Sequence, residues 1–381
     1  MTSRRFVLAL IAASAFVGQS AGPVVAASSV SSATSAVHPA ASSAKWGWVT
    51  VRRTGASYAP AASDQGNSTG GADTVEYAGT GTVIVFMNGI GDPGGTVEVS
   101  PLGRRDRVCY VYAWGSTSQG GIDEQMGVIC STSAGTLVNT GFTLTFFAAV
   151  ADAGHLAYLE ADQDATTEYS PAAVTSFDSE GGANTIHREG PGDYLVTLPH
   201  LGVSHGDAQV TQDIVGANPP RQTEPAGTAP MTPCQVLTLY PTAPDETVHV
   251  QCHDLSGTLT DARFTLMFMD GEGLKGSGHG KVAYLWAKRP STASYVPASG
   301  YRYAKPSATF RITRQGTGLY TVTLSGMPSG GTVKLSPTGL DAANCIVGSI
   351  RASGSPQTIG VRCFDLSGAA ADTYFMLAYE R

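Results

Sequence analysis

The sequence predicts an all-β chain, built as three tandem antiparallel β-sandwich domains of about 100 residues with one disulfide each. Three observations predict it. Glycine is abundant (46 residues) while charged residues make up only 14% of the chain, a balance that favours strands and turns over helices. One pattern is written three times: Cys130, Cys252 and Cys363 are each followed by Gly (Gly135, Gly257, Gly368), then Asn or Asp (Asn139, Asp261, Asp372), then Phe (Phe142, Phe264, Phe375), at matched spacing. The six cysteines, finally, fall two to a copy.

The N-terminal segment reads as a targeting signal. Arg4 and Arg5 precede the short apolar run Phe6 to Val17, and Val24-Val25-Ala26 offers small residues for cleavage near Ala26. The Arg-Arg pair is compatible with a twin-arginine route, whereas cysteines destined for disulfides favour the general secretory one. Residues 27–44 form a Ser/Ala-rich linker without apolar periodicity. The expected product is secreted, with no transmembrane segment, since no apolar run of spanning length follows. A formal net charge of −7 and the lack of Lys/Arg runs argue against nucleic acid or an anionic lipid surface as partner.

Each copy then opens on a short strand: WGWVTV from Trp46, LAYLEA from Leu156 and VAYLWA from Val282. These superimpose with Trp48, Tyr158 and Tyr284 on one face and Val49, Leu159 and Leu285 on the other. Along the first face the next residue is Thr50, Glu160 or Trp286, a freedom that predicts a solvent-facing side. Tyr-x-Pro follows in each copy (Tyr58, Tyr169, Tyr295), and a Gly-x-Gly ends at Gly81, Gly192 and Gly318, 23 residues after each Tyr. The strands behind those glycines alternate apolar and polar residues, as half-buried strands do. The copies span residues 45–150, 155–270 and 281–381, with hinges expected around 151–154 and 271–280. The second carries a Pro-rich insertion near 214–233, expected to be an exposed loop.

The cysteine separations are 21 (Cys109 to Cys130), 18 (Cys234 to Cys252) and 18 (Cys345 to Cys363). Each pair brackets two candidate strands, so each predicts a stapled hairpin or strand pair, worth on the order of 3 kcal/mol by loop entropy. No Cys-x-x-Cys suggests a metal or redox site, and no cofactor is implied.

Residues that could carry chemistry are few. Asp254 and Asp261, with Asp365 and Asp372 one copy later, border one loop and are weak calcium candidates; Asp-x-Ser-Gly is equally ordinary turn chemistry. Histidines concentrate in the second copy (His155, His187, His200, His205, His249, His253). His249 and His253 share a strand face but lie roughly 13 Å apart, too far for one metal. His200 and His205 share a loop and could pair. No Gly-x-Ser-x-Gly elbow, His-Glu-x-x-His or phosphate loop occurs. Trp114 and Trp286 lack aromatic counterparts in the other copies and are candidate exposed ligand contacts.

The run Gly316 to Leu324 (Gly-x-Gly-x-Tyr-x-Val-x-Leu), followed by the cysteine pair and the Cys-x-Asp-x-x-Gly-x-x-x-Asp-x-x-Phe ending, resembles the repeat of secreted bacterial proteins of unknown function. The first copy departs from it, with Val83 in place of Tyr and Thr132 in place of the first Asp. The resemblance implies export and modularity and supplies no catalytic residues.

The sequence thus points to an exported, non-catalytic protein that binds an extracellular glycan, cell-wall or protein partner. A carbohydrate- or wall-binding module protein is one alternative. A hydrolase with its site in the middle copy, tested at His200 and His205, is another.

Overall fold

The computed structural model describes residues 45–117, 122–148, 154–214, 232–275, 280–351 and 353–381. The expected signal peptide, the Ser/Ala linker, most of the first hinge and most of the Pro-rich insertion lie outside the described residues.

The first repeat contributes β1 (Lys45–Val51), β2 (Gln65–Asn67), β3 (Thr74–Gly79), β4 (Thr82–Met87), β5 (Thr96–Leu102), β6 (Val108–Ser116), β7 (Glu124–Ser131) and β8 (Gly141–Ala148). The second contributes β9 (His155–Ala161), β10 (Glu168–Tyr169), β11 (Ser176–Asp178), β12 (Thr185–Gly190), β13 (Asp193–Leu198), β14 (Asp207–Asp213), β15 (Cys234–Thr242), β16 (Asp245–Cys252) and β17 (Arg263–Asp270). The third contributes β18 (Val282–Ala287), β19 (Ser294–Tyr295), β20 (Arg302–Lys305), β21 (Thr309–Gly316), β22 (Leu319–Ser325), β23 (Thr332–Thr338), β24 (Ala343–Ile350), β25 (Gln357–Asp365) and β26 (Tyr374–Glu380).

Every repeat forms the two halves of a sandwich around its own core. In the first, β5-β8-β1-β2 faces β6-β7-β4-β3, and Val83, Val85 and Met87 meet Val97, Val99 and Leu144 between them. The other two repeats repeat the arrangement around Tyr194 and Val196, and around Tyr320 and Val322. In β4, β13 and β22 burial alternates residue by residue, as the sequence pattern predicts.

The sandwiches do not stand apart as independent units on hinges. Each sheet runs on from one repeat into another: β6 of the first abuts β14 of the second, β15 of the second abuts β23 of the third, and β24 of the third abuts β5 of the first. Pairing within a repeat is antiparallel; each junction is a single parallel pair, Val111 with Asp213, Val236 with Thr338, and Leu102 with Val347. Repeats one, two and three thereby close into a ring, and β5, β14 and β23 lie mutually adjacent around its pseudo-threefold axis.

The ring explains a burial pattern that alternation does not. Strands β5, β8, β14 and β23 are buried on both faces. One face carries Val97, Ala208 and Val333 into the three sandwich cores. The other carries Thr96, Glu98 and Ser100, then Asp207, Gln209 and Thr211, then Thr332, Lys334 and Ser336, all buried at the axis. Hydroxyls there tie each repeat to the next with one geometry. The amide of Leu335 donates to Ser100 Oγ at 2.9 Å, that of Val99 to Thr211 Oγ1 at 3.0 Å, and that of Val210 to Ser336 Oγ at 3.0 Å.

The face carrying Trp48, Tyr158 and Tyr284 is accordingly not a solvent face. All three are buried, in one cluster with Phe147, Met267 and Leu274. Thr50 is fully buried, and its hydroxyl donates to the carbonyl of Gly331 in the third repeat at 3.2 Å. Thr50 and Trp286 thus make chemically different contacts between repeats, Trp286 packing on the core of the second, whereas Glu160 bonds to Asp213 and Thr175 within its own repeat.

Candidate functional site

The repeated Cys-to-Phe segment builds one end of the ring. In the second and third repeats the first aspartate closes a turn on itself: Asp254 Oδ1 accepts from Ser256 N (2.8 Å), Ser256 Oγ (2.6 Å) and Thr258 N (2.9 Å), and Asp365 does the same with Ser367 and Ala369. The Ser256 hydroxyl and these amides hold the Asp254 carboxyl below the ordinary carboxylate range. Gly257 and Gly368 take the left-handed conformation that the turn requires, at φ 86° and 82°.

The second aspartate acts elsewhere. Asp261 receives the Arg188 guanidinium at 2.8 and 2.7 Å, the Gly192 amide at 2.8 Å and the Tyr194 hydroxyl at 3.2 Å. Asp372 is met likewise by Arg314, Gly318 N at 2.8 Å and Tyr320 OH at 2.9 Å. The first repeat keeps only the amide contact, Gly81 N to Asn139 Oδ1 at 2.7 Å, with Tyr77 and Val83 where Arg and Tyr stand in the other copies. Acid, base and phenol are thus present together or absent together. The second glycine of each Gly-x-Gly is required by space as well, since a Cβ there would run into the carbonyl oxygen of Cys130, Cys252 or Cys363.

All three disulfides form between residues paired directly across a hairpin, with Cα atoms 4.0 to 4.1 Å apart. They converge on the axis. Cys109, Cys234 and Cys345 line one small, open pocket together with Pro101, Pro337 and Asn344. Around this end lie the three turns: Gly257 packs on Leu366, and Gly368 packs on Asp106 and Ser133. Two apolar side chains at this end face outward, Leu340 at 84% exposure and Leu255 at 37%.

The other candidates separate. Trp114 and Trp286 are half-buried rather than free: Trp114 packs on the first core, and Trp286 on the second, with its indole N–H on Thr338 Oγ1 at 3.0 Å. The Lys288 ammonium sits 4.0 Å over the Trp286 ring and 4.5 Å from that of Tyr301. Tyr58, Tyr169 and Tyr295 each accept, through their hydroxyl, a backbone amide six residues earlier, so the Tyr-x-Pro motif anchors the end of the first strand of its repeat. Of the histidines, His155 and His187 are exposed beside glutamates and His249 bonds to Asp193. His253 is buried near Gly257 O. His205 meets Ser204 Oγ at 3.0 Å. His200 is the only non-glycine among the described residues with a left-handed backbone, at φ 62°. Among the described residues no group of three or more His, Cys, Asp or Glu side chains is arranged to hold a metal ion.

No family model, no curated protein and no solved structure matches this chain.

The axial column was missed in the sequence, although a signal for it exists. Thr96-x-Glu98-x-Ser100, Asp207-x-Gln209-x-Thr211 and Thr332-x-Lys334-x-Ser336 stand at one register in three strands, with apolar residues at the positions between them.

Proposed function

We propose that the chain is an exported, non-catalytic binding protein that engages an extracellular glycan, cell-wall or protein partner through the end of the ring where the three turns meet. The observation that carries this reading is the gathering of three equivalent turns, with outward-facing Leu255 and Leu340, around one axial pocket. Repeated contacts held at fixed separation raise overall affinity without any one of them being strong. Three disulfides, and the lack among the described residues of a helix long and apolar enough to cross a membrane, support an extracellular setting. A relation to secreted bacterial repeat proteins of unknown function belongs to the same reading, on the motif from Gly316 to Leu324.

The test is co-sedimentation of the full chain with insoluble cell-wall material and with polysaccharides, beside the variant Leu255→Ser with Leu340→Ser. Retention that drops in the variant supports the reading. Equal retention of both proteins removes this end from it, and no retention removes the wall and glycan classes and leaves a protein partner.

One observation favours a second reading, a secreted hydrolase with its site in the middle repeat. His200 occupies a left-handed position filled by Gly89 and Gly326 in the other copies, in the loop that also carries His205. Backbone strain of this kind concentrates at functional sites. Hydrolytic activity abolished by His200→Ala or His205→Ala would support it, and activity indifferent to both would end it.

A further inference from the structure

The axis of the ring buries acidic side chains whose oxygens the protein does not all satisfy. Three carboxylates and one ammonium are buried there: Glu98, Asp207, Glu380 and Lys334, none more than 4% exposed. Lys334 is committed, with Nζ 2.6 Å from Glu380 Oε1 and 3.6 Å from Met267 Sδ, while the Leu274 amide occupies Glu380 Oε2 at 2.6 Å. Glu98 and Asp207 remain: Lys334 attracts both without forming an ion pair with either, and burial pushes their carboxyls up to about 8 and about 7 in the protein alone, so that both hold protons near neutral pH. Glu98 Oε2 accepts from Thr211 Oγ1 at 2.6 Å and Asp207 Oδ2 from Gln209 Nε2 at 2.8 Å, leaving Glu98 Oε1 and Asp207 Oδ1 buried without a partner.

Two further unpartnered oxygens stand at equivalent positions. Thr96, Asp207 and Thr332 begin β5, β14 and β23, and the hydroxyls of Thr96 and Thr332 are also buried and unbonded. Their direction follows from alternation. Val97, Ala208 and Val333, the next residue along each strand, enter the three sandwich cores, so Thr96, Asp207 and Thr332 turn to the axis those strands share. Neutral alternatives are in use at both acidic positions, with Gln209 standing where the first repeat has Glu98 and threonine standing twice where the second has Asp207. The acids are therefore not demanded by the strand.

We propose that the axis of the ring binds a hard, oxygen-coordinated metal cation, held by Asp207 Oδ1 with the hydroxyls of Thr96 and Thr332 and balanced by Glu98 one layer along, the cation displacing the carboxyl protons. Carboxylate and hydroxyl oxygens without nitrogen or sulfur suit sodium, potassium or calcium rather than a transition metal. A cation there supplies a partner to the orphaned oxygens of Thr96, Asp207 and Thr332 and joins all three repeats at once, as a structural ion stabilising the closed ring.

Thermal unfolding of the full chain in choline chloride, sodium chloride, potassium chloride and calcium chloride at equal ionic strength tests this and distinguishes the ions. One metal should raise Tm over choline by about 3 °C or more at saturation, and native mass spectrometry should show that metal at one per chain. The shift should vanish in Asp207→Asn, and shrink in Thr332→Val, which keeps the side-chain shape if the first variant fails to fold. Equal Tm in all four salts with no bound metal would overturn the proposal. So would a folded Asp207→Asn that responds to the cation as the parent does.

Discussion

The side chain of Ser100, in the first repeat, accepts the backbone amide of Leu335, in the third, at 2.9 Å across 235 positions of sequence. Thr211 with Val99 and Ser336 with Val210 repeat the bond around the axis. The ring is thus closed by the same chemistry at all three joints, and one of those joints links the first copy to the last.

Replacing Ser100 by alanine leaves the Leu335 amide buried without an acceptor. That costs about 1–3 kcal/mol, where removal of both partners of a bond would cost less. Urea unfolding should show a lower midpoint at unchanged slope, with Ser336→Ala giving a loss of similar size. A change within about 0.5 kcal/mol for both, the range of ordinary surface substitutions, would mean that water replaces the hydroxyl and that the joint is wet.

The shared sheets carry a stronger consequence for dissection. A chain restricted to residues 281–381 would expose the axial face of β23 and β26, including buried Lys334 and Glu380, and would lose both parallel joints. The expected outcome is a monomer with poor amide protection or self-association through the exposed joints, read by hydrogen exchange and light scattering. A monomeric, fully protected single repeat would show that each sandwich is stable without the ring.

Most of each sandwich was legible in the sequence and the ring was not, for a physical reason. Alternation in β4, β13 and β22, matched glycines and paired cysteines are local signals, each fixed by one strand or one turn. Ring closure depends on the second face of β5, β14 and β23, where Thr, Ser, Glu and Gln satisfy one another between repeats. Freedom at one position of a strand reads locally as a solvent face, which is why the face holding Trp48, Tyr158 and Tyr284, where Thr50, Glu160 and Trp286 differ, was expected outside. The end with the three turns divides in the same way. Its turn chemistry is written in Asp-x-Ser-Gly, whereas the convergence of three disulfides on one pocket arises only when the copies meet.

The Arg-Asp-Tyr unit makes a prediction that differs between copies. Asp372→Asn should lower Tm, because Arg314 and Tyr320 lose the carboxylate that both contact. The converse change Asn139→Asp should also lower Tm, since the first repeat offers Tyr77 in place of the arginine. The sign of any pH effect follows from the Asp261 carboxyl, which the Arg188 guanidinium holds below its ordinary value. Its stabilising contribution is present above the unfolded-state pKa and is lost as pH falls through the lower folded-state value. Calorimetry should find the full Asp261→Asn penalty at pH 7 and a penalty that shrinks as pH is lowered below the ordinary aspartate value.

His200 invites relief of strain. Its amide donates to Asp245 Oδ1 at 2.9 Å, as that of Gly89 does to Asp123 Oδ1, so the turn is held in the left-handed region whichever side chain is present. Holding a non-glycine residue there costs roughly 1–2 kcal/mol, and glycine returns part of this through a more flexible unfolded chain. His200→Gly should therefore raise stability by up to about 1 kcal/mol in chemical unfolding. A loss instead would show that the imidazole makes contacts worth more than the strain.

Two buried glutamates set the behaviour towards base. Glu124 and Glu246 occupy one position of the repeat, where the third copy has Gln357. Burial pushes the Glu124 carboxyl up to about 9, against the Asp92 amide that donates to it, and that of Glu246 up to about 7. A carboxyl whose folded pKa lies above its unfolded value binds more protons folded than unfolded between the two. Stability consequently falls as pH rises through that window and levels off above it. For Glu124 the window runs from the ordinary glutamate range to about 9, so Tm should decline steadily from pH 5 to pH 9. Glu124→Gln, which copies Gln357, should unfold like the parent at pH 4 and at increasingly higher temperature than the parent towards pH 9. Parallel Tm curves for the two proteins over that range would mean that the Glu124 carboxyl is ionised in the folded chain and stabilised by a partner.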